Sequence, residues 1–242
     1  RLQLGLQHTD NAILKKINRQ STREDAVHAI QLLKDCGYKI DIHLMPNLPG
    51  STPEKDLEMF NDVLCSDDLH VDQWKIYPTE IVPFTIIKKW VEDGSFVPYS
   101  DDELIKLLLY VKPQVHPWIR LNRVIRDIPS QYTTEGTFDI PNLRQDLLKE
   151  LHKQGKYCKC IRCREVKNQI HLIPSAELKI RKYKASGGIE YFISMETPDE
   201  KTIFGFVRLR ICNPAINIFP ELNGCALIRE AHVYGKLKEV IK

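Results

Sequence analysis

The stretch Y-K-I-D-I-H-L-M-P-N-L-P-G-S-T-P-E-K-D, residues 38–56, decides the fold. Its first eight residues, 38–45, alternate apolar and polar side chains and read as a strand. Pro46-Asn47-Leu48-Pro49-Gly50 cannot continue a ladder and makes a rigid loop. Ser51-Thr52-Pro53-Glu54 then opens a helix, with Pro53 at the first helical position, where its missing N–H costs nothing. The unit is strand, loop, helix.

The same grammar runs outward in both directions. Residues 1–7, R-L-Q-L-G-L-Q, read as a short strand. Ser21-Thr22-Arg23-Glu24 forms a capping-box pattern, Ser followed by Glu three residues later. It predicts a helix with Ala26, Ile30 and Leu33 on one face, closed at Gly37 where a left-handed cap is needed. Residues 72–77, D-Q-W-K-I-Y, read as a third strand closed by Pro78, helices follow near 84–93 and 101–111, and W-I-R-L-N-R-V (118–124) is a fourth strand. Repeated β-then-α units over residues 1–125 predict a parallel sheet with helices outside. Such sheets bind ligands at the carboxyl ends of their strands. That rule selects Gln7 and His8, His43 and Met45, Lys75 and Tyr77, and Arg120 and Arg123.

Residues 126–170 change character. Ile128-Pro129 and Asp139-Ile140-Pro141 punctuate a loop, and Asn142 is placed to cap a helix over 143–154 that ends at Gly155. Then comes K-Y-C-K-C-I-R-C-R-E, residues 156–165. Cys158, Cys160 and Cys163 stand within six residues, among basic side chains that favour thiolates. Zinc takes such thiolates tetrahedrally. Three ligands leave a fourth position to His152, His171, a distant cysteine or water, and the alternative is three reduced thiols in a surface turn. Lys159, Arg162 and Arg164 give the segment an RNA-facing character. The segment reads as a linker that zinc would help to fold.

From residue 171 to 242 the pattern is mostly β. Residues 177–183 and 189–195 flank the turn signal Ser186-Gly187-Gly188. Residues 202–211 and 225–234 supply two further strands, so an antiparallel meander with one polar and one apolar face is expected, as a second domain. The 242 residues have room for one large domain or two smaller ones, with a net charge of only +3, so any nucleic-acid site must be a local patch. No apolar run approaches the ~18 residues of a membrane helix. Seven cysteines, an odd number with four of them scattered, and no visible signal peptide argue for a reducing, cytoplasmic setting. The chain opens at Arg1 within a predicted strand and closes just after another, so it reads as an internal fragment of a longer protein.

The segments L-G-L-Q, I-H-L-M-P-N-L-P-G-S-T-P-E-K-D, W-K-I-Y-P-T, R-V-I-R-D-I-P, C-K-C-I-R-C-R-E, S-G-G-I-E-Y-F, G-F-V-R-L-R and I-R-E-A-H-V-Y-G occur in that order. Together they resemble the Elongator protein 3 family, the catalytic subunit of the Elongator complex and its stand-alone relatives. The resemblance covers nearly the whole chain. It implies an α/β fold: part of a radical S-adenosylmethionine (β/α) barrel, a cysteine-rich linker, and part of an α+β GNAT-like acetyltransferase domain. It implies carboxymethylation of the tRNA wobble uridine at C5. Acetyl-CoA supplies the two-carbon unit, and a 4Fe-4S cluster acting on S-adenosylmethionine supplies a 5′-deoxyadenosyl radical. Protein lysine acetylation, and a non-catalytic RNA-binding or scaffold role, are the alternative readings. Mapped onto this chain, Gln7, His43, Met45 and Lys75 bind cofactor, Lys75 and Tyr77 are catalytic, and Cys158, Cys160 and Cys163 bind zinc. Arg120, Arg123, Arg126, Lys159, Arg162 and Arg164 face the tRNA anticodon stem-loop. Other Elongator subunits or a second copy of the chain are expected partners, and a membrane is not. Two departures stand out: no cluster-binding cysteine motif occurs in residues 1–125, where Cys36 and Cys65 lie on separate helices, and no glycine-rich acetyl-CoA turn follows the last strand. The chain alone is therefore expected to be inactive.

Overall fold

The computed structural model describes residues 1–125 and 142–235. The first part alternates β1 (Leu2–Gln7), α1 (Asn11–Lys16), α2 (Arg23–Asp35), β2 (Ile40–Leu44), α3 (Pro53–Cys65), β3 (Gln73–Ile76), α4 (Ile86–Glu92), α5 (Asp101–Val111) and β4 (Arg120–Arg123). The four strands form one parallel sheet in sequence order. Helix α6 (Leu143–Lys153) and the short α7 (Ile161–Arg164) lead into β5 (Glu177–Ala185), β6 (Gly188–Glu196), β7 (Ile203–Ile211) and β8 (Ala226–Val233). These make an antiparallel meander. The molecule is thus an α/β fold of a parallel sheet followed by an antiparallel one.

Local signals explain most of the boundaries. Thr52 caps α3 with Pro53 as its first residue, as the sequence predicts. Helix α2 starts one residue later than expected: Thr22, not Ser21, is the cap, and its box closes with Asp25 rather than Glu24. The shifted register also places Arg23 on Asp62, with two bonds of 2.7 Å. Asn142 does precede α6, but it sits at φ 62° and its side chain makes no capping bond; its carbonyl, not its amide, receives the first-turn N–H groups. Residues Ser186 and Gly187, both with positive φ, form the two-residue turn of the β5–β6 hairpin.

One apolar core lies between the parallel sheet and its helices. Ile40, Ile42, Leu44, Trp74, Ile76 and Leu121 from the strands meet Met59, Phe60, Leu104 and Leu108 from α3 and α5. Leu143 and Leu147 of α6, with Cys158 and Cys160, belong to this same core. At the junction of the two sheets, Trp118 is sandwiched between His116 (4.4 Å) and Tyr183 (4.1 Å), with the ring planes nearly parallel.

The meander has two faces, but in an unexpected sense. Its inward face carries Glu190, Arg208, Arg210 and Arg229, all buried, beside Phe192 and Phe206. Its outward face carries Leu178, Ile180, Met195, Ile211 and Ile228, all exposed. The inward charges are paired with the first half of the chain. Arg229 spans Asp72 (2.6 and 3.1 Å) and Glu190 (2.8 Å). Lys34 reaches Glu190 at 2.9 Å, and Arg210 reaches Asp35 at 2.7 Å. Arg208 holds Glu230 at 2.9 Å while its guanidinium lies over Phe192 and Phe206. Lys39 closes the set on Glu230. Tyr183 donates its hydroxyl to Glu190. Gly188 is required here, because a Cβ would fall 2.8 Å from the Arg210 guanidinium carbon.

The arginines around Asp72 and the cations around Glu190 overcome the burial that alone would raise these carboxyls; Glu190 is held down at about 2 and Asp72 well below its ordinary value. A carboxylate whose folded value is depressed contributes stability above its unfolded value and loses it as pH falls toward the folded value. Thermal unfolding followed against pH is therefore expected to show stability holding down to about 4.5 and falling between there and about 2, the window set by Glu190. A flat profile through that window contradicts this. Arg229→Met leaves Asp72 and Glu190 short of a buried partner and is expected to cost about 3–5 kcal/mol in urea denaturation. A midpoint unchanged from the parent is the contrary result.

Candidate functional site

Strand alternation gives the parallel sheet a second, polar face, opposite its helices. Gln3, Asp41, His43, Gln73 and Lys75 share it, set side by side by parallel register, and Asn122, at an irregularity in the β3–β4 pairing, joins them through its amide. Lys75 Nζ donates to Gln3 Oε1 at 2.7 Å and lies 3.4 Å from His43 Nε2 and 3.7 Å from Asp41 Oδ2. His43 Nε2 lies 3.1 Å from the same Gln3 oxygen, and its ring meets the Tyr77 ring edge-on at 5.4 Å. Lys75, His43 and Tyr77 are thus brought together. Gln7 sits at the end of β1 with φ 67°; its carbonyl accepts the Met45 N–H, while its Oε1 is buried and receives no donor among the described residues. An orphaned buried acceptor at a strand end is a place for a ligand's donor.

The polar ribbon continues across the sheet. Asn122 Nδ2 donates to Asp41 (2.9 Å) and Gln73 (2.7 Å), and Arg120 Nε donates to Asn122 Oδ1. Arg120 then pairs with Glu165 and reaches the Tyr234 hydroxyl at 3.2 Å, which joins the ribbon to the meander. The strand-end rule missed Gln3, Asp41, Gln73 and Asn122. The signal was present, since each falls on the same alternation phase as a residue the rule selected.

Asp56, in the first turn of α3, fixes the Pro-rich loop. Its buried carboxylate accepts from Asn47 N (2.6 Å), Ser51 Oγ (2.6 Å) and Tyr99 Oη (2.7 Å). His8 Nδ1 accepts the Asp10 N–H, so Nε2 carries the proton that faces Asp56 Oδ1 at 3.2 Å. His8 is therefore a loop-anchoring residue. Burial, then the facing Asp56 carboxylate, pushes the Tyr99 phenol up, and it stays a donor.

The expected RNA-facing cations divide into three groups. Arg123 and Lys159 are exposed. Arg120, half-buried, is tied down on Glu165, and Arg162, itself exposed, donates to the Asn122 carbonyl. Arg164 does not face RNA: it is 4% exposed and its guanidinium is spent on Glu196 (2.8 Å), the Lys159 carbonyl and the Pro117 carbonyl. Its place in a basic run gave it a surface look that the fold removes. Arg126 lies outside the described residues.

The three cysteines do converge. The Sγ atoms of Cys158, Cys160 and Cys163 all lie within 4.8 Å of one another, the only such group of three His, Cys, Asp or Glu ligands among the described residues. His152 and His171 are exposed and join no such group. The turn is anchored on both sides, by Ile161 N to the Ile119 carbonyl and by Val166 N to the Ile203 carbonyl. Arg144 of α6 donates Nη1 to the Leu121 carbonyl at 2.9 Å and sets Nη2 at 3.8 and 3.7 Å from the sulfurs of Cys160 and Cys163. Hydrogen bonds from Cys158 and Cys160 push the Cys163 thiol far down, with Lys112 and Arg144 adding to the effect; hydrogen bonding to its neighbours pushes Cys158 up, and burial pushes Cys160 up. Three sulfurs this close to one another suit a soft cation. Cys158 and Cys163 also line a cavity of about 820 Å³, with Leu148, Tyr157 and Lys201 on its wall.

Residues 71–153, which run from just before β3 to the end of α6, match the model of the radical SAM C-terminal domain. The chain is 37% identical over 242 residues to the tRNA uridine(34) acetyltransferase of Methanocaldococcus infernus, an alignment covering 97% of this chain and 45% of that protein. It is 34% identical to Elongator complex protein 3 of Homo sapiens, over 99% of this chain and 44% of that one. The solved structure of the archaeal Methanocaldococcus infernus Elp3 with an N-terminal deletion superposes with a TM-score of 0.90 at 35% identity, covering 99% of this chain and 57% of that one. The chain belongs to the Elongator protein 3 family, and it spans about half the length of the curated relatives it matches.

The Asp56 anchor is directly testable. Asp56→Ala strips four donors of their acceptor and is expected to cost about 3 kcal/mol, on the scale of a buried hydrogen-bond network left unsatisfied. Urea denaturation measures the loss, and limited proteolysis locates it in the 46–50 loop. Parent-like stability and an uncut loop are the outcome that contradicts the role.

Proposed function

We propose that the chain is part of an enzyme that modifies the wobble uridine of tRNA, building a carboxymethyl group at C5 of the base from the acetyl group of acetyl-CoA. The observation that carries this reading is the extent of the likeness: nearly every residue aligns with proteins named tRNA uridine(34) acetyltransferase, and the fold follows one of them at a TM-score of 0.90. The polar ribbon then lines the barrel mouth. Gln7 offers a buried acceptor, and His43, Met45 and Lys75 would supply donors and a thioether from the neighbouring strands. Lys75 and Tyr77 are the catalytic candidates, since an ammonium and a phenol at one strand end can deliver or withdraw protons from a bound base.

In the complete enzyme, a 4Fe-4S cluster with S-adenosylmethionine would supply the radical chemistry. The polar face carries no thiol among the described residues, so the cluster does not fit these residues alone, and no step through it is assigned to them. Arg123, Arg126 and Lys159 would contact phosphates of the anticodon stem-loop, which supplies salt-dependent affinity without sequence choice. Unstacked loop bases are what proteins usually read in RNA. Cys158, Cys160 and Cys163 would hold zinc as a structural cross-link, with the fourth position toward the adjacent cavity. Residues 171–242 would form the start of a GNAT-like domain, after a barrel part over 1–125 and a linker over 126–170. Other Elongator subunits or a second copy would assemble on the protein in the cytoplasm. No helix among the described residues is long and apolar enough to cross a membrane.

The test is full-length protein, reconstituted anaerobically, incubated with an anticodon stem-loop RNA, S-adenosylmethionine and acetyl-CoA, with mass spectrometry of the wobble nucleoside. Carboxymethylated uridine is the expected product. Lys75→Ala is expected to lower its formation by about 100-fold, the scale of a lost acid–base group, with an unchanged thermal midpoint. Unmodified RNA despite retention of the stem-loop would favour a binding module, and acetylated protein lysine in place of modified RNA would favour a lysine acetyltransferase.

A further inference from the structure

A cavity of about 290 Å³ lies where Gln73 and Arg120, the first residues of β3 and β4, face the meander. It is at the opposite end of the parallel strands from Met45 and Tyr77. Its wall is unevenly charged: Arg1, Lys39, Arg120 and Arg208 stand against the carboxylate of Glu230. Lys39 and Arg208 share Glu230, while Arg1 is paired with Asp41 and Arg120 with Glu165. Four cations thus meet three carboxylates, which leaves one positive charge over. Arg208 holds the surplus. It is 1% exposed, its Nε donates to Glu230 at 2.9 Å, and Phe192 and Phe206 hold its guanidinium in place. Among the described residues, Nη1 and Nη2 have no hydrogen-bond partner. Asp72 Oδ1 stands 3.6 Å from Nη1, too far for a hydrogen bond, and is already held by Arg229 at 2.6 Å. Buried donors left in this state call for an acceptor.

The cavity has a further donor and an apolar side. Tyr234 Oη accepts from Arg120 Nη1 at 3.2 Å, which leaves the phenol its own proton to give. Burial pushes that phenol up to about 12, so it keeps the proton at neutral pH. The His232 ring lies between Phe206 (5.9 Å) and Tyr234 (4.3 Å), an aromatic wall beside the cationic one. We propose that this cavity binds a small monocarboxylate, with Arg208 and Tyr234 as its donors and the aromatic wall under its short apolar stem. A planar guanidinium with two free N–H ends matches a carboxylate. A single negative charge also balances the surplus, where a phosphate dianion would overshoot it. The site stands on this geometry and not on the tRNA reading, and it shares no residue with the strand-end group of Lys75, His43 and Tyr77.

The experiment titrates carbon-13-labelled acetate into full-length protein at constant ionic strength and reads binding from the acetate line width. Acetamide, a neutral molecule of the same shape, and inorganic phosphate are titrated alongside. Saturable acetate binding is expected, tighter than that of either comparison molecule. Arg208→Lys keeps the charge and loses the paired N–H ends; it is expected to weaken acetate binding by about 10- to 100-fold, the scale of hydrogen bonds to a charged group. Tyr234→Phe removes one hydroxyl and is expected to weaken it by about 2- to 10-fold, the scale of a neutral hydrogen bond. Because Arg208 is also part of the buried ion network, thermal unfolding first establishes that its variant is folded; if it is not, Tyr234→Phe alone decides. Acetate that does not saturate overturns the inference. So does acetamide or phosphate binding as tightly as acetate, or parent-like acetate binding in the folded variants. Each of these outcomes leaves the tRNA reading untouched, since wobble-nucleoside formation is measured separately.

Discussion

The interaction on which the rest depends is the buried ion network between the two sheets. Lys34, Asp35 and Asp72 come from the first half, and Glu190, Arg208, Arg210 and Arg229 from the second, with bonds of 2.6–3.6 Å joining them. Such charges are costly to desolvate, and their mutual attraction offsets that cost only when each is fully paired. The consequence is geometric. A greasy interface tolerates sliding, but a network of bidentate arginines has one register. Asp72 illustrates this: the same carboxylate that holds Arg229 also accepts the Ile40 N–H, so the seam between the sheets is tied to the start of β2.

The candidate site inherits that rigidity. The polar ribbon on the parallel sheet ends at Arg120, whose guanidinium is shared with Glu165 and Tyr234 beyond the cysteine turn. The cysteine turn is itself bonded to Ile119 on one side and Ile203 on the other. The sulfurs sit in the apolar core of the barrel part while the turn that carries them touches the meander. The polar ribbon, the cysteine turn and the second sheet therefore share one frame, fixed by buried and half-buried charges.

Much of the fold was legible in the sequence because its signals are local. Thr52-Pro53, Gly37 and Ser186-Gly187 each need a particular backbone state and announce it. The convergence of the three cysteines was legible from spacing for the same reason. At Ser21-Thr22 two capping registers overlap, each with an acidic residue three positions on, and only the tertiary bonds of Arg23 choose between them. The buried network was illegible in principle. Glu190, Arg208 and Arg210 alternate with Ile189, Tyr191, Leu209 and Ile211 in the pattern of a solvent-facing strand, and their partners lie as far as 175 residues away. Arg164 was misread on the same ground. Gln3, Asp41, Gln73 and Asn122 were within reach, since alternation alone put them beside Lys75 and His43.

Trp118 stands where these halves meet, its indole stacked between an imidazole and a phenol. The stack takes His116 and Trp118 from the chain just before β4 and Tyr183 from the hairpin beyond the cysteines. The two sheets therefore cannot part without stripping a ring from one face of that indole, so the stack is a seal over the seam as well as a contact across it.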